Sequence, residues 1–321
     1  MNLVLIEHDQ GKLSKTAMEV LIPARDLAKK TNTRFAAVLI GDNALSVVDT
    51  LQYYGVKKVY HVKHGRLDDY APDAWAESVV QLIQKANPQT VLAVGSDRGN
   101  EVMARVAAKT NNPMAANCIA IEPGEKYRVT RVRWGGSLFE EAWLDGIPKL
   151  LTVATLTFES AEIPGSEKPE TEEFVPELSD KDFRVRVTRR IPPEGGVSLS
   201  DARVVVGGGR GVGSKEGFAL LEELAELLGG TVGGSRVVTN LGWRSHADQI
   251  GQTGTRISPD LYIACGISGA IQHWVGCMGS KTILAINSDP EAPIVTKADY
   301  AVIGDLHEVI PALCAEIKKM K

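Results

Sequence analysis

Cysteine is scarce in this chain of 321 residues, and the four cysteines lie at positions 118, 265, 277 and 314. No two of them have the CxxC spacing, and none lies at the spacing from a histidine that zinc sites use. The sequence therefore predicts no structural zinc site and no iron–sulfur cluster. We expect the cysteines to be buried, reduced thiols in a reducing compartment.

Long apolar runs and blocks of positive charge are lacking as well. The first ten residues, MNLVLIEHDQ, are a short apolar run followed at once by charge, which predicts a first strand rather than a signal peptide. No stretch approaches the length of a membrane span. The formal net charge is −4, and no cluster of Lys and Arg indicates a nucleic-acid surface. We therefore expect a cytoplasmic protein that neither binds nucleic acid nor crosses a membrane.

The first half of the chain alternates apolar runs with helical stretches. Hydrophobic residues make up 44% of the sequence and charged residues 24%, which is typical of a globular protein, and the length suits two α/β domains. Strands that alternate with helices predict a doubly wound sheet of parallel strands. The predicted strands are residues 2–6, 35–40, 58–62 and 90–94, and the predicted helices begin near residues 14, 45, 74 and 100.

The pattern changes after residue 110. Residues 127–134 (YRVTRVRW) alternate with a period of two, and with the apolar run 149–157 they predict an antiparallel extension at one side of the sheet. Residues 168–177 are predicted as a polar connector and residues 183–187 (FRVRV) as a strand. Two prolines and two glycines between residues 192 and 196 mark the strongest boundary in the chain. We predict an N-terminal domain over residues 1–192 and a C-terminal domain over residues 193–321.

The second half predicts a parallel, Rossmann-like α/β domain. Its predicted strands are residues 203–206, 237–238, 261–264, 282–286 and 301–303, and its predicted helices are residues 218–228 and 307–318. A glycine turn, GGGRGVG at 207–213, follows the first strand. The dinucleotide fingerprint GxGxxG fits it in no register, and Ser214-Lys215 reverses the order that a P-loop requires. The turn therefore predicts a close backbone approach to a ligand rather than ATP hydrolysis.

Two glycine-containing turns, at residues 251–254 and 266–269, flank the predicted strand 261–264. A strand, a Gly-Ser-Gly turn and a helix start present backbone N–H groups and a hydroxyl to an anion. Such a turn alone is more often an ordinary connection in an α/β domain.

The whole string from residue 248 to residue 273 closely resembles the FAD-binding core of the α subunits of electron-transfer flavoproteins, the FixB family. The resemblance continues through VVVGGGRG at 204–211, GGSR at 233–236, AINSDPEAP at 285–293, ADY at 298–300 and GDL at 304–306. The first half resembles the family only in its layout. The resemblance implies a C-terminal domain that binds FAD non-covalently and an N-terminal domain that contacts a β subunit.

The resemblance also implies a set of cofactor-binding residues, with no catalytic residue among them. It implies that Arg210 contacts FAD, that Arg236 lies against the flavin ring, that Thr253 offers its hydroxyl to flavin N5, and that His273 lies near flavin O2. Asn287, Asp305 and Leu306 would contact the adenosine half, whereas Asp299 would be structural. The full set is Arg210, Ser235, Arg236, Gln249, Ile250, Gly251, Gln252, Thr253, Ser268, Gly269, Ala270, Ile271, Gln272, His273, Asn287, Asp305 and Leu306.

The function that the resemblance implies is electron relay by the FAD-binding α subunit of a heterodimer, an electron carrier rather than an enzyme that transforms a substrate. Its β subunit would carry AMP or, in electron-bifurcating members, a second FAD. Dehydrogenases would donate the electrons, and a quinone or a protein of the ferredoxin or flavodoxin type would accept them.

Two other hypotheses stay open on the sequence alone. The first is a flavin- or NAD-dependent dehydrogenase with its own substrate, in which His246 or His273 would serve as acid or base. The second is a structural or adenine-nucleotide-sensing protein with a degenerate site. One segment, WRSHAD at 243–248, departs from the proline-containing run of many relatives and leaves the flavin potential and the subtype open.

Overall fold

The computed structural model describes residues 1–13, 16–136, 138–158, 162–163, 167–189 and 198–320. The chain divides into two compact units, Met1–Arg190 and Ile191–Lys321. Residues 190–197, which include the prolines and glycines of the predicted domain boundary, lie outside the described residues. The boundary between residues 192 and 193 therefore stays a prediction. None of the helices in the described ranges combines the length and apolar character needed to cross a membrane.

The first unit alternates strands and helices along most of its length. Its strands are β1 (Asn2–Leu5), β2 (His8–Asp9), β3 (Lys12–Leu13), β4 (Phe35–Ile40), β5 (Lys58–Val62), β6 (Thr90–Val94), β7 (Met114–Glu122), β8 (Tyr127–Arg133), β9 (Leu138–Leu144), β10 (Lys149–Val153) and β11 (Glu170–Phe174). Its α-helices are α1 (Leu21–Lys30), α2 (Val48–Leu51), α3 (Pro72–Ala86) and α4 (Asp97–Thr110). Short 3-10 turns lie at Thr16–Met18, Asp42–Val47, Gln52–Tyr54, Trp134–Gly136 and Asp180–Phe183.

Nine of the described strands form one sheet, in the order β11-β5-β4-β1-β6-β10-β7-β8-β9. All neighbours are parallel from β11 to β7, and β8 and β9 continue the sheet as antiparallel strands. The central strands are apolar and buried, as expected where helices cover both faces of a parallel sheet. The doubly wound α/β fold with an antiparallel extension is thereby confirmed.

Several details of the first unit differ from the sequence-based predictions. The run at 149–157 forms β10 only as far as Val153, and β10 lies inside the sheet, parallel to both β6 and β7. The extension consists instead of β7, β8 and β9. The predicted connector 168–177 contains the edge strand β11, and the predicted strand 183–187 is not a strand.

The helices of the first unit also differ in their ends. The first α-helix begins at Leu21 rather than near residue 14, a position outside the described residues. The predicted helix 45–54 is a short α-helix, α2, between two 3-10 turns. Helices α3 and α4 begin two and three residues earlier than predicted, since Pro72 suits a first helical turn and Ser96 caps α4 through its hydroxyl.

The second unit is a five-stranded parallel sheet with helices. Its strands are β12 (Val204–Gly208), β13 (Thr231–Gly234), β14 (Leu261–Cys265), β15 (Ile283–Asn287) and β16 (Tyr300–Ile303). Its α-helices are α5 (Phe218–Leu227), α6 (Arg236–Asn240), α7 (Ile271–Cys277), α8 (Pro293–Lys297) and α9 (Leu306–Met320), with 3-10 turns at Arg210–Val212 and His246–Asp248. The sheet order is β13-β12-β14-β15-β16, so the order reverses between β12 and β14.

The parallel α/β prediction for this unit is confirmed, but one predicted strand is wrong. Residues 237–238 lie in helix α6, and the strand of that region is β13, which ends just before Ser235. The closing helix α9 begins at Leu306 and continues to Met320, slightly beyond both predicted ends.

Candidate functional site

A cleft of about 510 Å³ lies at the carboxyl ends of the strands of the second unit. This is the edge where ligands bind in open parallel sheets, and the reversal of strand order between β12 and β14 opens a crevice there. The volume lies within the range of small-molecule sites. The cleft is lined by Gly209, Arg210, Gly211, Ser235, Arg236, Val237, Asn240, Gly266, Ile267, Ser268, Ala270, Gln272, His273, Asn287, Ser288, Asp289, Ala292, Pro293, Gly304, Asp305 and Leu306.

Glycines bring two backbone segments of the cleft into direct contact. The Gly209 N–H donates to the Cys265 carbonyl at 2.9 Å, and the Gly211 N–H donates to the Gly266 carbonyl at 3.0 Å. A Cβ on Gly211 would lie only 2.7 Å from the Gly266 Cα, and Gly266 has a φ of +60°. Glycine at these positions therefore lets the loops after β12 and β14 pack against each other, and Gly209, Gly211 and Gly266 line the cleft without side chains.

Two arginines give the cleft positive charge. Arg210 follows β12 and Arg236 follows β13, and both side chains are exposed. Among the described residues, neither guanidinium has an ion-pair partner. Both remain available to an anionic ligand, for which a guanidinium offers several donors and a permanent charge.

The Gly-Ile-Ser-Gly turn after β14 (residues 266–269) is fixed by contacts with helix α8. The Ile294 N–H donates to the Ser268 carbonyl at 3.1 Å, and a Cβ on Gly269 would lie 2.7 Å from the Ile294 Cα. Gly269 also has a φ of +80°. Both the lack of space for a Cβ and the positive φ therefore favour glycine at this position. Ser268 therefore lines the cleft, whereas Gly269 lies beneath it and shapes the turn.

His273 lies in the first turn of α7 and is 7% exposed. Its Nε2 is 2.8 Å from the hydroxyl of Tyr262 in β14, and its Nδ1 has no hydrogen-bond partner among the described residues. Burial lowers the pKa of His273 to about 4, against a weaker raising effect of the Ile250 backbone. The imidazole at the cleft is therefore neutral near pH 7.

The turn at residues 251–254 packs against α7 but does not line the cleft. The Gln252 N–H donates to the Gln272 carbonyl at 2.7 Å, and a Cβ on Gly276 would overlap the backbone of Gly251. Thr253 is exposed, and its hydroxyl accepts a hydrogen bond from the side chain of Gln249 at 3.0 Å. This turn is held beside the start of α7, next to His273.

At the other end of the cleft, Asn287 and Asp305 are both engaged within the protein. The Asn287 amide donates to the Ile267 carbonyl at 2.9 Å and accepts from the Asp289 N–H at 3.0 Å. Asp305 accepts from the backbone and the imidazole of His307, and these hydrogen bonds lower the pKa of its carboxyl. Asn287 retains one N–H for a ligand, and Asp305 retains its second carboxylate oxygen.

The structure brings most of the predicted residues to this cleft. Those that line it are Arg210, Ser235, Arg236, Ser268, Ala270, Gln272, His273, Asn287, Asp305 and Leu306. Seven do not line it: Gln249, Ile250, Gly251, Gln252, Thr253, Gly269 and Ile271. Gln249 and Ile250 are buried, Thr253 and Ile271 are exposed beside the cleft, and Asp299 is structural, because its carboxylate accepts from the Ile283 N–H at 2.8 Å.

Several lining residues were missed from the sequence. Three of them directly follow a strand: Gly266, Ser288 and Gly304. Asp289 comes one residue after Ser288. The position of a residue at the carboxyl end of a parallel strand is the signal that would have found them. Asn240 lies at the end of α6, and no comparable signal marks it.

Two family models match this chain. The electron transfer flavoprotein domain matches residues 2–179, and the electron transfer flavoprotein FAD-binding domain matches residues 198–278. The second match covers the loops after β12, β13 and β14, with both arginines and His273.

Curated relatives match over nearly their whole length. The electron transfer flavoprotein subunit alpha of Thermoanaerobacterium thermosaccharolyticum is 36% identical over 99% of this chain and 98% of its own. The protein FixB of Clostridium saccharobutylicum is 37% identical over 99% and 96%, and the electron transfer flavoprotein subunit alpha of Bacillus subtilis is 36% identical over 99% and 97%. Among solved structures, a thiamine diphosphate-dependent 4-hydroxybenzoylformate decarboxylase of Rhodococcus jostii matches at 12% identity. The match covers 98% of this chain and 59% of that chain, with a TM-score of 0.25.

Proposed function

The chain belongs to the α-subunit family of electron transfer flavoproteins, and we propose that the cleft at the carboxyl ends of β12 to β16 is where it holds FAD. Members of this family bind FAD and pair with a β subunit. One observation supports the proposal most directly: glycine backbone without side chains lies in the same cleft as Arg210 and Arg236. Neither arginine has an ion-pair partner among the described residues. A dinucleotide with a pyrophosphate at its centre needs both features in one place.

The residues of the cleft fit FAD in three separate respects. Gly209, Gly211 and Gly266 line the cleft without side chains, so a ligand can lie directly on the main chain there. The exposed guanidiniums suit an anionic pyrophosphate. His273 lines the cleft with a buried imidazole whose pKa is lowered to about 4, so an uncharged flavin ring can pack against a neutral group there.

Each of these residues then has one role toward the cofactor. Arg210, Ser268 and the backbone at Ala270 hold the pyrophosphate, while Asn287 and Asp305 hold the adenosine half. Arg236 would contact the flavin ring, and its fixed charge would favour the reduced and negatively charged ring. When bound, FAD supplies the redox chemistry, by accepting and releasing one or two electrons.

Residues beside the cleft complete the site. Thr253 and Gln252 belong to the turn that is held against α7, and we propose that this turn contacts the redox edge of the flavin. The Thr253 hydroxyl can both donate and accept, so it suits N5 in either oxidation state. Gln249 acts indirectly, because its amide is already bonded to two threonines of the protein.

The partners follow from the family. We propose a β subunit carrying AMP or a second FAD, dehydrogenases as donors, and a quinone or a ferredoxin- or flavodoxin-type protein as acceptor. The cytoplasmic location predicted from the sequence stays a prediction.

The dehydrogenase hypothesis finds no support in the composition of the cleft. A substrate-transforming flavoenzyme needs an acid or base with a pKa near its working pH. Among the described residues that line the cleft, His273 has its pKa lowered to about 4 and Asp305 has its pKa lowered as well. The other histidine considered, His246, is exposed and does not line the cleft.

The test is to co-produce the chain with its β subunit and to determine the FAD content and the absorption spectrum during stepwise reduction. We expect a yellow heterodimer that takes up two electrons and returns them to a dye without any small-molecule substrate. A colourless protein would overturn the proposal, and oxidation of a small substrate by the purified chain would favour the dehydrogenase.

A variant and its control test whether the cofactor binds in this cleft. Arg210→Gln removes a cleft guanidinium, and we expect it to lower the FAD content. Arg184→Gln removes an exposed arginine of the first unit and serves as the matched control, with FAD content as in the wild type. Equal FAD content in both variants would show that the cofactor binds elsewhere.

A further inference from the structure

The charged residues of the cleft are separated by sign along the sheet. Among the described residues that line the cleft, Arg210 and Arg236 carry positive charge, and Asp289 and Asp305 carry negative charge. The arginines follow β12 and β13, whereas the aspartates follow β15 and β16. In the sheet order β13-β12-β14-β15-β16, the two signs therefore lie on opposite sides of β14. Adjacent strands are about 4.8 Å apart, so roughly 10 Å separates β12 from β15.

Asp289 is anchored at the negative end of the cleft. It lies two residues beyond β15, and its N–H donates to the side-chain oxygen of Asn287 at 3.0 Å. Its Oδ1 accepts from the Glu291 N–H at 2.9 Å. Asp289 is exposed, and among the described residues its carboxylate has no ion-pair partner. Its Oδ2 is therefore left to accept a hydrogen bond from a ligand.

Asp305, two residues beyond the adjacent strand β16, already has two donors from the protein. Its Oδ1 accepts from the His307 N–H at 2.9 Å and lies 2.8 Å from the His307 Nδ1. These hydrogen bonds lower the pKa of the carboxyl, so Asp305 is ionised near pH 7, with one oxygen occupied by the His307 backbone and ring. Of the two carboxylates, Asp289 thus gives the cleft the negative charge that the protein compensates less.

We propose that Asp289 is a specificity-determining residue, which accepts a hydrogen bond from the adenosine ribose of the cofactor and rejects dinucleotides with an additional phosphate on that ribose. A carboxylate accepts from ribose hydroxyls and repels a phosphate in their place. The phosphates of FAD lie at its centre, and its adenosine ribose has only uncharged hydroxyls, so FAD suits a cleft with arginines on one side and carboxylates on the other. The identity of the dinucleotide rests on the function proposed above.

No cation of the described part of the cleft would compensate an additional phosphate at this end. A site that accepts a ribose 2′-phosphate places an arginine beside it. The described residues that line the cleft on this side of β14 are Asn287, Ser288, Asp289, Ala292, Pro293, Gly304, Asp305 and Leu306, and none of them is cationic. Lys297 in α8 does not line the cleft, and its ammonium lies over the ring of Trp274, 5.3 Å from the centroid. The additional phosphate would therefore lie beside Asp289 without a partner of opposite charge.

ADP-ribose and ADP-ribose 2′-phosphate are a matched pair of probes for this charge selection. Both contain the adenosine and the pyrophosphate of FAD, and they differ by one phosphate. The experiment measures how each probe competes with FAD for the FAD-free heterodimer with the β subunit. We expect the wild type to bind the phosphorylated probe roughly tenfold more weakly than ADP-ribose. Asp289→Asn keeps the shape of the side chain and removes its charge, so this difference should shrink to about threefold or less.

Glu291→Gln is the matched control, because it removes a negative charge from the same loop. Glu291 is exposed and does not line the cleft, so this variant should keep the wild-type difference between the probes. The β subunit is the same in every variant, so any nucleotide that it binds affects all of them alike. Salt screens charge repulsion, so the difference should also decrease with ionic strength in the wild type and the control.

The ratio of the two affinities distinguishes charge selection from a structural role. If Asp289 only shapes the loop, Asp289→Asn changes both affinities by the same factor and leaves their ratio at the wild-type value, and the proposal is wrong. It is also wrong if the wild type binds both probes equally, or if ADP-ribose does not displace FAD.

The same probes separate this inference from the proposed function. A heterodimer that takes up no FAD would contradict the proposed function, while direct calorimetric titration with the two probes would still decide the charge selection. Absence of binding of both probes in that titration would overturn the role of Asp289 as well. Conversely, a heterodimer with FAD and an unchanged affinity ratio in Asp289→Asn would keep the function and remove the role of Asp289.

Discussion

The side-chain amide of Gln249 connects two threonine hydroxyls, those of Thr239 and Thr253. The Thr239 hydroxyl donates to Oε1 at 2.9 Å, and Nε2 donates to the Thr253 hydroxyl at 3.0 Å. Gln249 is 5% exposed, and its bond to Thr239 is buried, whereas its bond to the exposed Thr253 is partly buried. The amide therefore joins helix α6 to the turn at residues 251–254 and fixes the position of Thr253.

Replacement of Gln249 by leucine should weaken FAD binding without unfolding the unit. Leucine fills a similar volume but removes both hydrogen bonds of the amide, and the Thr239 hydroxyl then keeps only the Arg236 carbonyl as acceptor, at 3.0 Å. Two hydrogen bonds contribute about 1 kcal/mol each, so the loss is at most about 30-fold in FAD affinity if the turn must be ordered to bind. Titration of the FAD-free heterodimer with FAD measures the change.

The matched control is Gln81→Leu in the first unit. Gln81 also uses both ends of its amide, donating to the Glu177 carbonyl and accepting from the Glu177 N–H, each at 2.8 Å. This variant should lose stability and keep the wild-type FAD affinity. Equal FAD affinities in the two variants would show that the Gln249 amide has no particular connection with the cofactor.

The two cleft arginines should affect different properties of the flavin. We expect Arg210→Gln to weaken FAD binding about 10- to 100-fold, since a hydrogen bond to a charged group contributes about 1.5–3 kcal/mol. Arg236→Gln should instead lower the midpoint potential of the first one-electron step, because the reduced ring loses a nearby positive charge. Potentiometric titration and FAD titration of each variant measure the two effects. If Arg210→Gln alone changes the potential, the assignment of the two arginines is reversed.

The sequence predicts the parallel core well because strand ends carry a strong local signal. The loops at Gly209 and Ser268 follow strands that are short apolar runs, and carboxyl ends of parallel strands meet at one edge. The same rule would have found Ser288 and Gly304. It could not reveal the contact between Tyr262 and His273, because their hydrogen bond joins a strand to the following helix and depends on the packing between them.

The wrong predictions share a physical cause, which is that tertiary contacts outweigh local propensity. The FRVRV run alternates like a strand, but only Phe183 is buried, beneath the guanidinium of Arg66 at 3.8 Å from the ring centroid. The acidic stretch at 170–174 has low strand propensity, yet it forms β11 beside β5. Glu172 pairs there with Lys58 at 2.7 Å and with Lys85 at 2.6 Å.

A pair of glycine substitutions should distinguish backbone strain from close packing beneath the cleft. Gly213 and Gly266 both have positive φ, +83° and +60°, but a Cβ on Gly213 meets nothing within 4 Å. Gly213 has a ψ of −41°, so Gly213→Ala should cost only this sparsely populated backbone conformation, about 1–3 kcal/mol. Gly266→Ala should cost more, because its Cβ would lie 2.7 Å from the Gly211 Cα, and it should also lower the FAD content. Hydrogen exchange of β12 and β14 in each variant measures the stability, and equal losses would contradict the close contact of the two loops.

Burial of His273 should make the second unit less stable in mild acid. Its pKa is lowered to about 4 in the folded chain, from an ordinary value of 6.5. Between these two values the unfolded chain binds the proton and the folded chain does not, so the free energy of unfolding decreases as the pH falls from 6.5 to 4. The shift corresponds to about 3 kcal/mol of the free energy of unfolding. This contribution is fully present above pH 6.5 and is lost as the pH falls to 4. His273→Gln should remove this part of the pH dependence, as measured by hydrogen exchange of β14 in the FAD-free chain between pH 7 and pH 4.

The exposed His246 provides the control for this measurement, because His246→Gln in the same unit should leave the pH dependence as it is in the wild type. Burial also lowers the pKa of His8 and raises that of Glu7, but both residues belong to the first unit and are present in every variant. Their contributions therefore cancel when the variants are compared. If the wild type and His273→Gln lose stability in parallel down to pH 4, then the imidazole takes up its proton in the folded chain. Such a result would contradict the burial that is expected to keep His273 neutral.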